Sequence, residues 1–205
     1  MKRIFIILST VLMLTANSVM AYDNPTPYVN KRMSGGIGNV TVYIDSSQTP
    51  KATYWQALIK NAIHNWMYTG YGANDFYATY VSSNNGSKMD FHAKYPSFWT
   101  DQNRPEPYAE CRHYSTSDQL VNPESHDWYY AIIYLNHTAL SDDTVSNDTA
   151  TGIFAHEIGH AFGMKHNVWN PNSIMCTLSP LEIGASPRAV NTVQKVDNDA
   201  LNEMY

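Results

Sequence analysis

The run His156-Glu157-Ile158-Gly159-His160-Ala161-Phe162-Gly163-Met164-Lys165-His166 places three imidazoles and one carboxylate within eleven residues. In a helix, side chains four apart lie one turn above each other, so His156 and His160 can present two nitrogens to one metal ion. Glu157, beside the first of them, can reach a water on that ion. Gly163 can take the left-handed conformation that ends a helix, and the resulting turn would carry His166 back as a third ligand. Three neutral histidines with a fourth position open is the arrangement of a catalytic zinc. Structural zinc is normally closed by four protein ligands, usually with thiolate among them. A chain of this composition carries these five fixed positions by chance about twice in 100,000, so the pattern is specific.

These residues resemble the long zinc signature of the metzincin metallopeptidases. Ser173-Ile174-Met175, with Met175 nine residues after His166, resembles their Met-turn. With Gly159 after Ile158, the signature is most similar to the matrixins, the matrix-metalloproteinase-like branch and its bacterial members. Asn167 and Thr177 stand where the astacin branch has Glu and Tyr, and Asn167 also departs from the Ser usual in matrixins. The resemblance implies an α+β, zincin-like catalytic domain with a long backing helix, an active-site helix and a C-terminal helix. Its sheet would be mixed, twisted and five-stranded, with an antiparallel edge strand above the cleft. It further implies one catalytic Zn2+ on His156, His160 and His166, with Met175 beneath the imidazoles. The implied activity is that of a zinc metalloendopeptidase, in which zinc-activated water hydrolyses the peptide bonds of protein or peptide substrates and Glu157 is the general base. The wall of the main specificity pocket would lie between Cys176 and Pro187, where Leu178 and Leu181 suggest an apolar lining. A reading from another class stands beside this one: a zinc-containing module that binds peptides or proteins without turnover, its fourth metal position blocked by a thiolate. Glu157 argues against it, because a binder needs no base.

Such ligands need elements to hold them. Val40 to Ile44 alternates β-branched and aromatic residues and predicts a strand. Tyr54, Leu58, Ala62 and Trp66 form one row at spacing four, and Trp55, Ile59, Ile63 and Met67 form the next, which predicts a helix with one broad apolar face. Thr49 and Pro50 suit its start, Gly70 and Gly72 its end. Phe76 to Val81 and Lys88 to His92 read as strands, and the turn-forming cluster Ser82 to Gly86 between them suggests a hairpin. Ala93 to Asp127, with Pro96, Pro105, Pro107 and Pro123 and no sustained period, reads as a long surface excursion. Trp128 to Leu135 reads as a buried strand. A second helix should begin near Thr149, and a last one should run from Val193 to Tyr205 with Thr192 as its cap. Helices flanking a mixed sheet give an α/β or α+β class, and the hairpin favours α+β.

At 205 residues, 43% hydrophobic and 15% charged, the composition is that of one globular domain. Lys2 and Arg3 precede an apolar run from Ile4 to Leu14, and small and polar residues then lead to Ala21, the pattern of a secretory signal peptide. Residues 1–21 are therefore expected to be removed and the protein to be extracellular. Residues 22–38 would form an extended arm or short prosegment and 39–205 the catalytic domain. Cleavage would leave 11 basic against 18 acidic groups, a balance that disfavours nucleic acid and anionic membranes as partners. A monomer is expected. In an oxidising compartment an even cysteine count most simply means a Cys111–Cys176 disulfide, worth roughly 4 kcal/mol for a loop of about 66 residues. Two free thiols are the competing reading. Asp23 in the arm is a candidate latency ligand for the metal. Calcium is a further candidate cofactor in the loop Ser141 to Asp148, through Asp142, Asp143 and Asp148. The His-x-Asp motif of a matrixin structural zinc is missing.

Overall fold

The structure, a computed structural model, describes residues 24–45, 47, 52–99 and 107–205. In chain order the elements are β1 (Val40–Ile44), α1 (Ala52–Met67), β2 (Ala78–Val81), β3 (Met89–Lys94), a 3-10 turn (Pro96–Phe98), β4 (Ala109–Tyr114), β5 (Leu120–Val121), β6 (Tyr130–Asn136), α2 (His137–Leu140), α3 (Asn147–Phe162) and α4 (Lys195–Met204). One six-stranded sheet has the order β2-β1-β3-β6-β4-β5. Its first four strands are mutually parallel, and β4 runs antiparallel to β6 and β5. This mixed α/β arrangement is compatible with the α+β class. The signal segment, Asp23, Thr49 and Pro50 lie outside the described residues.

Alternation builds the core side of the sheet. Val40 and Val42, Met89 and Phe91, and Ala131, Ile133 and Leu135 are buried on one face, in one core with the apolar residues of α1 and α3. The α1 rows bury Trp55, Leu58, Ile59, Ala62, Ile63 and Trp66, while Tyr54 at the exposed end stays half in solvent. Two fully buried indoles fix α3 in place. Trp66 Nε1 donates to Ala155 O at 2.8 Å and Trp128 Nε1 to Ala161 O at 3.1 Å, so each large apolar body is also aligned by its one polar atom. Pinned from both sides, α3 is buried nearly all round.

Three expectations are corrected. The hairpin does not form: β2 and β3 sit on opposite sides of β1, both parallel to it. β2 is in register with Val40–Tyr43 and β3 with Val42–Ile44. The Ser82–Ser87 connection therefore steps across β1 instead of reversing, and Lys88 N donates to Thr41 O at 2.9 Å where it lands. The stretch from Ala93 to Asp127 contains β4 and β5, so the sheet has six strands rather than five. The last helix starts at Lys195 with Gln194 as its cap, because Asp197 at the third helical position completes a capping box with Gln194. Thr192 instead accepts from the Gln194 side chain.

Residues 24–38 of the arm pack into the body, with a turn at Met33–Gly36. Val29, Met33 and Ile37 are buried in the same core as the helices. Tyr28 and Met33 make bridges to Met164 and Trp128.

On β3, Asp90 is only 3% exposed and bonds to the Ser87 hydroxyl. Burial pushes its carboxyl up to about 6, the Ser87 bond pulling the other way. A folded pKa above the unfolded value of about 3.9 means that the folded state favours the protonated form. The associated stability is complete below the unfolded pKa and is lost as pH rises through about 6. Asp90→Asn is therefore expected to raise stability on the order of 2 kcal/mol at pH 7.5 and to change little near pH 3.5. Urea midpoints at the two pH values check this, and an equal effect at both would contradict it.

Candidate metal centre

Two of the three histidines are aimed by backbone carbonyls. His156 Nδ1 donates to Ile174 O and His160 Nδ1 to Met164 O, each at 2.8 Å. Each bond fixes the tautomer that leaves Nε2 with a bare lone pair. Those two Nε2 atoms then face each other at 3.1 Å with no proton between them, a repulsive arrangement unless a cation joins them. Tetrahedral zinc with bonds of about 2.0–2.1 Å holds its nitrogens about 3.3–3.4 Å apart, so the spacing suits such an ion. His166 completes the set, the ligand atoms of all three lying within 4.8 Å of one another. Burial, with the neighbouring imidazoles, pushes His160 down to about 3 and His156 well down too. Burial lowers His166 as well, and each of the three shifts favours the neutral form, which binds metal.

Local chemistry explains the turn that delivers His166. Gly163 has φ 105° and ends α3, its N–H bonding to His160 O and that of Met164 to Gly159 O. A side chain there would be strained and would meet Trp128 at 2.8 Å. Gly159 is required for space: a Cβ at this position would stand 2.3 Å from Met175 Sδ. Met175 is fully buried and packs against the ligand helix between the first two histidines. Asn167 N donates to Met175 O at 2.9 Å, tying the two turns together.

Asp197 anchors this assembly from α4. Its Oδ1 accepts from the Thr26 and Ser173 hydroxyls at 2.7 and 2.5 Å, and its Oδ2 from Ile174 N and Gln194 N at 2.9 and 3.0 Å. The arm adds its backbone to the His166 turn, with Lys165 N donating to Pro27 O and Val29 N to Gly163 O. Asn24 O receives the amides of Asn167 and Asn170. Asn167 thus serves this contact with the arm.

The triad opens on a cleft of about 920 Å³, bounded by residues 107–113 of the β4 edge on one side and by Thr177, Leu178, Ser179 and Leu181 on another. Leu178 is partly buried against the core and Leu181 is exposed, so the expected wall residues do meet the cleft. Glu157 lines it beside His156 and is 7% exposed. Burial pushes its carboxyl up to about 8, opposed by a bond from the Cys111 backbone N–H and by the charge of Arg188. His113 on β4 bonds through Nε2 to His160 O at 2.9 Å. Burial pushes it down to about 4, so it is neutral and donates.

The disulfide is not formed. Both cysteines are free: the Cys176 thiol donates to Ser186 O at 3.3 Å, while Cys111 lies in β4 on the cleft side near Glu157. Burial raises both thiols, Cys111 well above its usual range. Among the described residues only the three histidines gather closely enough to hold a metal, and neither sulfur joins them. The carboxylates suggested for calcium do not converge either. Asp142 closes a turn onto Thr144, and Asp148 sits in the first turn of α3 behind its cap Ser146.

Sequence reasoning missed Asp197, Thr26 and Arg188. The signal for Asp197 was the Gln-x-x-Asp spacing at the start of α4, a capping box; nothing local marks the other two. Compared with models of protein families and with curated proteins, the chain matches no family model and no curated sequence.

Proposed function

We propose that this chain is a secreted zinc-dependent metalloendopeptidase of the metzincin type, with a matrixin-like signature. The observation that carries the reading is the pair of bare Nε2 atoms facing each other at 3.1 Å beside His166, with Glu157 in the same cleft. Among the described residues no helix is long and apolar enough to cross a membrane.

His156, His160 and His166 would hold zinc. The bound ion supplies Lewis acidity, which lowers the pKa of water to about 7 and polarises a carbonyl. Glu157 takes a proton from water on one of its carboxylate oxygens and returns it to the amine nitrogen of the leaving fragment. The β4 edge favours an extended polypeptide as substrate. It pairs with β6 on one side, while β5 covers only His113 and Tyr114 on the other. Backbone groups at an open edge bind an added strand. The alternative of a blocked fourth ligand loses support because neither thiol reaches the histidine set.

The test is hydrolysis of a mixed peptide library by the purified protein, with cut positions read by mass spectrometry. Cleavage is expected to stop with a chelator and return with zinc. A protein that holds one zinc per chain and cuts nothing would refute the activity.

A further inference from the structure

Arg188 lines the cleft with an incomplete set of partners. Its backbone N–H donates to Thr177 O at 2.7 Å, which closes the wall loop 178–187. Nη1 donates to Ile174 O at 3.2 Å, the carbonyl that also receives His156 Nδ1. Nε and Nη2 are shut off from solvent and have no hydrogen-bond partner among the described residues. A buried cation missing two acceptors is costly, and a guanidinium satisfies such an edge best with a carboxylate bound through two parallel bonds.

The neighbouring groups cannot serve as that carboxylate. Both oxygens of Asp197 are already taken by Thr26, Ser173, Ile174 and Gln194. Glu157 makes no hydrogen bond or ion pair with Arg188 and is reserved for proton transfer. The Cys176 thiol is turned to Ser186 O. Burial pushes the guanidinium down to about 10, and the neighbouring Cys176, Glu157 and Asp197 oppose that shift without hydrogen-bonding to Nε or Nη2. The adjoining wall, residues 177–187, has no helix or strand and is exposed from Ser179 to Gly184, and it shares the cleft lining with Arg188.

We infer that Arg188 is a specificity-determining residue: it receives the carboxylate of an aspartate or glutamate side chain flanking the scissile bond. The inference rests on the endopeptidase reading and narrows its substrates to acidic sequences, although Leu178 and Leu181 alone would suggest apolar ones.

Two measurements test it. In the peptide library, the wild-type protein is expected to favour Asp or Glu over Leu at least 10-fold at one position next to the cut. Arg188→Met should collapse that ratio, and Arg188→Lys should retain part of it, which also covers the case in which Arg188→Met fails to fold. Independently of turnover, glutarate is expected to raise the thermal midpoint of the zinc-loaded wild type more than that of either variant at equal zinc content. Cleavage with an apolar preference at both flanking positions overturns the inference and leaves the endopeptidase reading standing. If nothing is cleaved, that reading falls and the glutarate comparison alone decides: an equal midpoint shift in wild type and variants overturns the carboxylate site.

Discussion

Glu157→Ala is expected to keep one zinc per chain and to lower kcat for peptide hydrolysis by about 10²–10⁴, the usual worth of a positioned general base. The two effects separate because the ligands are oriented without Glu157. His156 and His160 are aimed by the carbonyls of Ile174 and Met164, and His166 is delivered by the Gly163 turn. Removing the carboxylate leaves these bonds intact. It relieves a buried acid whose pKa burial raises to about 8 but strands the Cys111 backbone N–H that this carboxylate accepts from, two opposed effects that leave stability little changed. Zinc content by elemental analysis and kcat on one good peptide check the prediction. Full retained hydrolysis would remove Glu157 from the proton-transfer role, and lost zinc would make it part of the ligand framework. A module that only binds would hold a peptide equally well with and without this side chain.

The ligand set was legible because its geometry is local. Four-residue helical spacing and a glycine-terminated turn place His156, His160 and His166 within one short segment, and no distant contact decides whether they converge. The strands were less legible where pairing is a choice among partners. The cluster Ser82 to Gly86 signals a reversal, yet the buried sides of β2 and β3 are both satisfied by β1, and no short-range rule encodes that. β4 escaped notice because its sequence, Ala-Glu-Cys-Arg-His-Tyr, buries only Ala109 and His113, so the apolar alternation that marks a strand is absent. The disulfide expectation failed on position: an even cysteine count says nothing of where strand pairing and the Met175 turn send the two sulfurs. Arg188 and Thr26 act on the site from 22 residues beyond His166 and 130 before His156, as a loop closure and an arm. Their roles exist only in the folded chain.

The largest structural effect is expected from Asp197→Ala. One carboxylate there holds the arm through Thr26, the methionine turn through Ser173 and Ile174 N, and the start of α4 through Gln194 N. The carboxyl is fully buried, so these donors would lose their acceptor without gaining water. The Thr26 and Ser173 hydroxyls can fall back on each other, being 3.1 Å apart. The two backbone N–H groups cannot, and each stranded donor costs about 1–3 kcal/mol. With the lost cap, a total of roughly 3–5 kcal/mol follows, a large part of a typical domain's stability. The effect should also reach the metal. Ile174 presents its N–H to Asp197 and its carbonyl to His156 Nδ1; releasing one side of that residue loosens the group that orients the first ligand. Loss of such an orienting partner typically weakens metal affinity by 10–100-fold. Thr26→Val, which removes only the bond to the arm, should be milder in both respects. Urea unfolding of the metal-free proteins and zinc titration against a competing chelator measure the two effects separately. A destabilised Asp197→Ala protein with wild-type zinc affinity would show that Asp197 holds α4 and the arm alone, and that the aim of His156 depends on the surrounding packing instead.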